Sequence, residues 1–150
     1  MKTAGKTEEY LIREYLPGDF PGIIDLWIST GIGNPARGDT EDSIIESIRV
    51  GGLLLVMTEA KSGKIVGTSW MTYDGRRVHL HHFGILPDLQ GNGLSKPLLG
   101  ESLEFVKKKG VQVKLEVNEN NLKAISLYRK YGFERLGDYD IYIIRDISKL

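Results

Sequence analysis

The chain contains no cysteine. That absence excludes a disulfide framework, a thiolate zinc site and a cysteine nucleophile together, and it suits a reducing cytoplasm. Charge of one sign is missing too: 20 basic residues stand against 20 acidic ones. The basic excess expected of a nucleic-acid binder is therefore not there. The longest apolar run, GGLLLVM at 51–57, falls far short of the ~20 residues that cross a bilayer. The opening MKTAGKTEEY has no apolar stretch of the kind a secretory leader carries. No G-x-x-x-x-G-K-[ST] occurs, which removes the Walker-type nucleotide site. The expectation is a cytoplasmic protein with no nucleic-acid and no membrane partner.

What is present describes one globular domain, residues 1–150. An apolar fraction of 41% and a charged fraction of 27% are ordinary for such a domain. YLIREYL, at 10–16, alternates as a first strand does. DFPGIIDLWIST then sets Ile23, Ile24, Trp27 and Ile28 at helical spacing, and TEDSIIESIRVGG reads as a second helix stopped at Gly51. Three β-runs follow over 53–85, turned at KSGK and DGR. LSKPLLGESLEFVKKKG is a helix carrying Leu94, Leu98, Leu99, Leu103 and Val106 on one side, with lysines and a glycine at its end. VQVKLEV alternates strictly, NENNLKAISLYRKYG is helical, and FERLGDYDIYIIRDI supplies closing β-material. The predicted order is β-α-α-β-β-β-α-β-α-β-β, an α/β (α+β) fold with a mixed, mostly antiparallel sheet flanked by helices. The β–turn–α–β unit in its middle calls for a crossover between parallel strands, with a ligand at the strand ends nearby.

That crossover begins in LPDLQGNGLSKPLL, residues 86–99. Gly91, Asn92, Gly93 and Ser95 keep bulk away just where a helix starts. A helix N-terminus offers N–H donors and partial positive charge, so the stretch suits a phosphate.

Two stretches together carry a family resemblance. ILPDLQGNGLS resembles the pyrophosphate-binding motif of the GNAT superfamily of N-acetyltransferases, Q/R-x-x-G-x-G/A, at Gln90, Gly93 and Ser95. Ser95 departs from the usual Gly or Ala but stays small. NLKAISLYRKYGF resembles the second signature, N-x-x-A-x-x-L-Y-x-x-x-G-F, at Asn121, Ala124, Leu127, Tyr128, Gly132 and Phe133. The element order agrees over nearly the whole chain. The resemblance implies acetyl-CoA as acyl donor, no metal, and direct attack by a primary amine in a ternary complex. It implies cofactor contacts at Phe83, Gly84 and Ile85, where the family's strand bulges and pairs with the pantetheine arm. It also implies them at Gln90, Gly91, Asn92, Gly93, Leu94 and Ser95 for the pyrophosphate, and at Asn121 and Tyr128.

Acyl transfer to an amine sets its own requirements. Only roughly one alkylamine in 2,500 is neutral at pH 7, so a proton acceptor is needed. The departing thiolate needs a donor. Tyr128 stands where the family's tyrosine reaches the thioester sulfur, and a phenol is protonated near neutrality. Two sites compete for the base. Glu116 matches the LEV…N…LY arrangement of bacterial N-terminal protein acetyltransferases. HLHHFGI is similar to the paired-histidine strand of arylalkylamine N-acetyltransferases, with His79 and His81 on the matching positions. Alternation puts His79 and His81 on one strand face and His82 on the other. The sequence leaves open which site is the base. It also leaves open whether the acceptor is a small-molecule or a protein amine, and whether DYDIYIIRDI pairs two copies into a homodimer. A non-catalytic acyl-CoA sensor of the same fold is the alternative function.

Overall fold

The computed structural model describes residues 9–150; most of the N-terminal stretch read for a leader lies outside them. The chain falls into two compact units, one ending at Glu116 and the other running Val117–Leu150. The first carries β1 (Tyr10–Glu14), α1 (Phe20–Thr30), α2 (Glu41–Arg49), β2 (Leu53–Glu59), β3 (Ile65–Tyr73), β4 (Arg77–Ile85), α3 (Ser95–Lys109) and β5 (Gln112–Leu115). Its sheet runs β1-β2-β3-β4-β5 in space. The first four strands are antiparallel neighbours, and β5 joins β4 in parallel through the α3 crossover.

Local chemistry accounts for the helix limits. Thr40 caps α2, its hydroxyl accepting from the Ser43 N–H at 3.2 Å, and Glu41 and Asp42 favour the positive helix start. Glycines in the left-handed region end α1 at Gly31 and α3 at Gly110. Alternation along β3 sends its side chains to two layers. Thr68 and Trp70 face the first two helices: Trp27 Nε1 donates to Thr68 Oγ1 at 2.9 Å, and Trp70 Nε1 to Ser47 Oγ at 2.8 Å. Ser69, between them, shares a 2.7 Å hydrogen bond with Ser102 of α3. Helices therefore cover both faces of the sheet. The core on the α1–α2 side gathers Ile23, Leu26, Trp27, Ile44, Leu54, Val56, Ile65 and Trp70.

Ile28, expected on the buried face of α1, is 65% exposed, and Leu26 takes its place at 1%. Ile23, Leu26 and Trp27 form the i, i+3, i+4 stripe that a helix lays on a sheet, and Ile28 lies one step outside it. β5 is shorter than its alternating sequence, stopping at Leu115.

The second unit holds α4 (Leu122–Lys130). Asn121 caps it, its side chain accepting from the Ala124 N–H at 3.3 Å. Gly132 follows in the left-handed region at φ 93°. Tyr128 meets Phe133 edge-on, ring centroids 5.6 Å apart. The two closing strands expected over FERLGDYDIYIIRDI are not formed; residues 134–146 carry no ladder. β-branched and aromatic residues favour strands only when a cross-strand partner completes the pairing. Here Ile141, Tyr142, Ile143 and Ile144 are 62–91% exposed.

Candidate active site

In the first unit the chemistry-bearing residues collect on β4. The β4–β5 ladder pairs Arg77 with Gln112 and ends at Leu80 with Leu115, while β4 runs on to Ile85. Its last residues thus lie beyond the reach of that ladder. On the β3 side the register slips between Thr68 and Trp70, so Ser69 opposes both His82 and Phe83. This is a β-bulge.

The resemblance implies a bulge over 83–85; the observed slip falls at His82 and Phe83 and is built differently. Gly84 does not supply its unusual backbone; His82 does, at φ 44°. Gly84 instead makes room, since a Cβ there would stand 2.9 Å from Ile32 Cδ1. The extra residue also reverses the expected orientation of His82. Alternation puts it opposite His81, but the bulge turns it onto the same face, 4.4 Å from Trp27 and 5.2 Å from Trp70 by ring centroids.

His79 and His81 come together as expected, stacked at 4.1 Å. His81 Nε2 lies 2.8 Å from Thr72 Oγ1, the hydroxyl or the ring donating according to tautomer. Burial, then the neighbouring histidines, pulls the His81 pKa down to about 4. Burial also lowers that of His79, against the opposing pull of Glu116. Glu116 Oε1 stands 3.9 Å from His79 Nε2 and is about half exposed. The two sites that competed for the base are therefore one cluster. Beside it, Thr72, Asp74, Arg76, Arg77, His79 and Lys114 line a cavity of about 140 Å³.

After Ile85 the chain turns through Pro87–Leu89 into the glycine-bearing stretch. Gln90 Nε2 donates to the Ile85 carbonyl at 3.0 Å, tying the turn to the end of β4. Gly91 and Gly93 take φ 83° and 76°, conformations that side chains disfavour. Nothing lies within 4 Å of where either Cβ would stand. Leu94 puts no side-chain cap on α3, and no acidic residue sits in its first turn. Open space, uncapped N–H groups and the dipole of a 15-residue helix fit a pyrophosphate. They follow directly on the end of β4, where Gly84 and Ile85 pair with β3 and lie past the ladder with β5.

The model of the acetyltransferase (GNAT) family matches residues 22–133. The chain belongs to this family. Among sequence relatives, the mycothiol acetyltransferase of Clavibacter michiganensis is 31% identical over 102 residues, which are 67% of this chain and 33% of that protein. The chain thus spans about a third of the length of that relative. The N-alpha-acetyltransferase RimI of Mycobacterium tuberculosis is 38% identical over 79 residues, 50% of this chain and 49% of the relative. A GNAT-family acetyltransferase structure from Staphylococcus aureus superposes with a TM-score of 0.75 at 19% identity, over 87% of this chain and 88% of that one. That likeness shows the GNAT fold in this chain.

In the second unit Tyr128 is 8% exposed, and burial pushes its phenol up to about 12. It is thereby held in the protonated, donor form. Asn121 is occupied as the cap of α4. Sequence reasoning missed Thr72 and Asp39, the partners of His81 and His82. Thr72 had a signal, because the DGR turn fixes the hairpin register that pairs it with His79. Asp39 had none: it sits in a polar loop far from β4 in sequence. Among the described residues no group of three or more His, Asp or Glu is arranged to hold a metal ion, and no helix is long and apolar enough to cross a membrane.

Proposed function

We propose that the chain is an N-acetyltransferase that passes the acetyl group of acetyl-CoA to a primary amine by direct attack in a ternary complex, with residues 1–150 acting as one domain. The end of β4 beyond its ladder with β5, running into the open left-handed glycine turn, carries this reading. Phe83, Gly84 and Ile85 offer backbone to the pantetheine arm. Gln90, Gly91, Asn92, Gly93, Leu94 and Ser95 hold the pyrophosphate, and family resemblance adds Asn121 and Tyr128 as acetyl-CoA contacts. When bound, acetyl-CoA supplies an activated thioester. The acceptor, a small-molecule or a protein amine, approaches over the histidine face of β4, between residues 17–51 and the cavity at Thr72 and His79.

Glu116 takes the amine's proton, directly or through water. His81, with its pKa near 4, is a weak acceptor. With His79 and Thr72 it serves better as a neutral polar wall that orients the amine. Tyr128, kept protonated by burial, donates to the departing thiolate. The absence of cysteine fits a cytoplasmic setting, and the exposed 141–144 tract suits pairing with a second copy of the chain.

The test is thiol release from acetyl-CoA across a panel of small amines, amino acids, and peptides with free N-termini or lysines. Release that depends on one acceptor class supports the proposal. Acetyl-CoA binding with no amine-dependent release would contradict it and favour the non-catalytic sensor.

A further inference from the structure

His82 is left over from this chemistry, and several independent features converge on it. Among the described residues it is the one non-glycine at positive φ, a conformation that persists only where surrounding contacts enforce it. The enforcing contacts are visible. Thr68 Oγ1 donates to the His82 carbonyl at 2.8 Å, and that hydroxyl in turn accepts from Trp27 Nε1. The imidazole packs against Trp27 and Trp70. Its Nε2 stands 2.9 Å from Asp39 Oδ1. That is a close contact set off the line of a hydrogen bond, and both ring nitrogens are shielded from solvent without a hydrogen-bond partner. Buried polar atoms are normally satisfied, so the ring is placed for its contact with Asp39.

Asp39 closes the other half of the arrangement. Its Oδ2 accepts from the Asn34 N–H at 2.6 Å, so one carboxylate folds the loop between α1 and α2 on itself and fastens it to β4. Ile32, at the loop's start, reaches the same bulge at Gly84. The loop is thus held at both ends of the bulge, on the face that carries His79 and His81.

We propose that Asp39 and His82 form a clasp that fixes the 31–40 loop against the β4 bulge and sets the acceptor-side wall, making both positioning residues for acyl transfer. This rests on the reading of that face as the acceptor site.

Asp39→Asn keeps the bond to Asn34 and removes the charge. His82→Asn removes the ring but tolerates positive φ. Backbone amide exchange over 32–38 is followed in both variants and in their combination, with circular dichroism as the check on folding. Each single change speeds exchange by about tenfold, and the double change adds little more. In steady state the acceptor KM rises about five- to tenfold, while kcat and acetyl-CoA affinity stay within about twofold. Unchanged exchange in Asp39→Asn, additive effects in the double variant, or weakened acetyl-CoA binding with an unaltered acceptor KM would each overturn the clasp. Exchange is read without turnover. Coupled loosening in a chain that acetylates no amine would therefore defeat the acetyltransfer reading and leave the loop attachment standing.

Discussion

Acidification weakens this fold through His81, and the structure sets the size of the effect. The ring is pressed against His79 and hydrogen-bonded to Thr72, and its folded pKa of about 4 lies below the unfolded value of ~6.5. A lowered histidine is neutral in the native state and readily protonated once unfolded. The unfolded chain therefore binds more protons between pH 6.5 and 4, and stability rises with pH across that window. The contribution is complete above about pH 6.5 and is lost as pH falls toward 4. Between pH 7.5 and pH 5 the full linkage is about 2 kcal/mol, trimmed to about 1–2 kcal/mol by the ring's partial contact with solvent. His79 is shifted in the same direction and adds to the slope. Urea denaturation of the wild type and of His81→Gln at both pH values isolates the term. The variant loses about 1–2 kcal/mol less than the wild type on acidification. Parallel losses in the two proteins would refute the half-buried, weakly basic His81. The same placement bears on catalysis. A histidine relay through His81 would give kcat/KM a rising limb near pH 4. A limb fixed near 6–7 for acceptors of different pKa, and absent when His79 and His81 are both changed to Gln, would contradict it.

Two further predictions concern the donor site. Gly93→Asp suits the left-handed backbone better than most side chains and meets open space, so the fold persists. Its charge meets the pyrophosphate, and calorimetric titration shows acetyl-CoA affinity lowered by at least about tenfold. Tyr128→Phe keeps the ring and its edge contact with Phe133 but removes the proton; kcat falls by ~10²–10⁴ with acetyl-CoA affinity little changed. A fall under about threefold, with chemistry rate-limiting, would return Tyr128 to packing alone.

Local rules made much of this molecule legible. Gly91 and Gly93 are glycines because their φ values demand it, and a glycine-bearing turn before a helix announces itself in any sequence. The hairpins over 53–85 were readable from KSGK and DGR, and β5 from its alternation. What escaped depends on partners distant in sequence. The reversal of His82 needs one extra residue opposite Ser69, and a ladder slip leaves no mark within HLHHFGI. Asp39 reaches His82 only through the path of a polar loop. The choice of Leu26 over Ile28 for the core is set by how α1 lies on the sheet, and a wide apolar stripe does not specify its own centre. The closing strands were inferred from propensity, yet DYDIYIIRDI forms no ladder, since pairing is a property of two segments.

The central claim is that one continuous surface, from the end of β4 through the glycine turn into α3, receives acetyl-CoA. Amide exchange of the full chain with and without acetyl-CoA tests it residue by residue. The account predicts ligand-dependent protection concentrated at 83–85 and 91–95, absent from β1 and β2 and abolished together in Gly93→Asp. Acetyl-CoA that binds while leaving both stretches unprotected would contradict it.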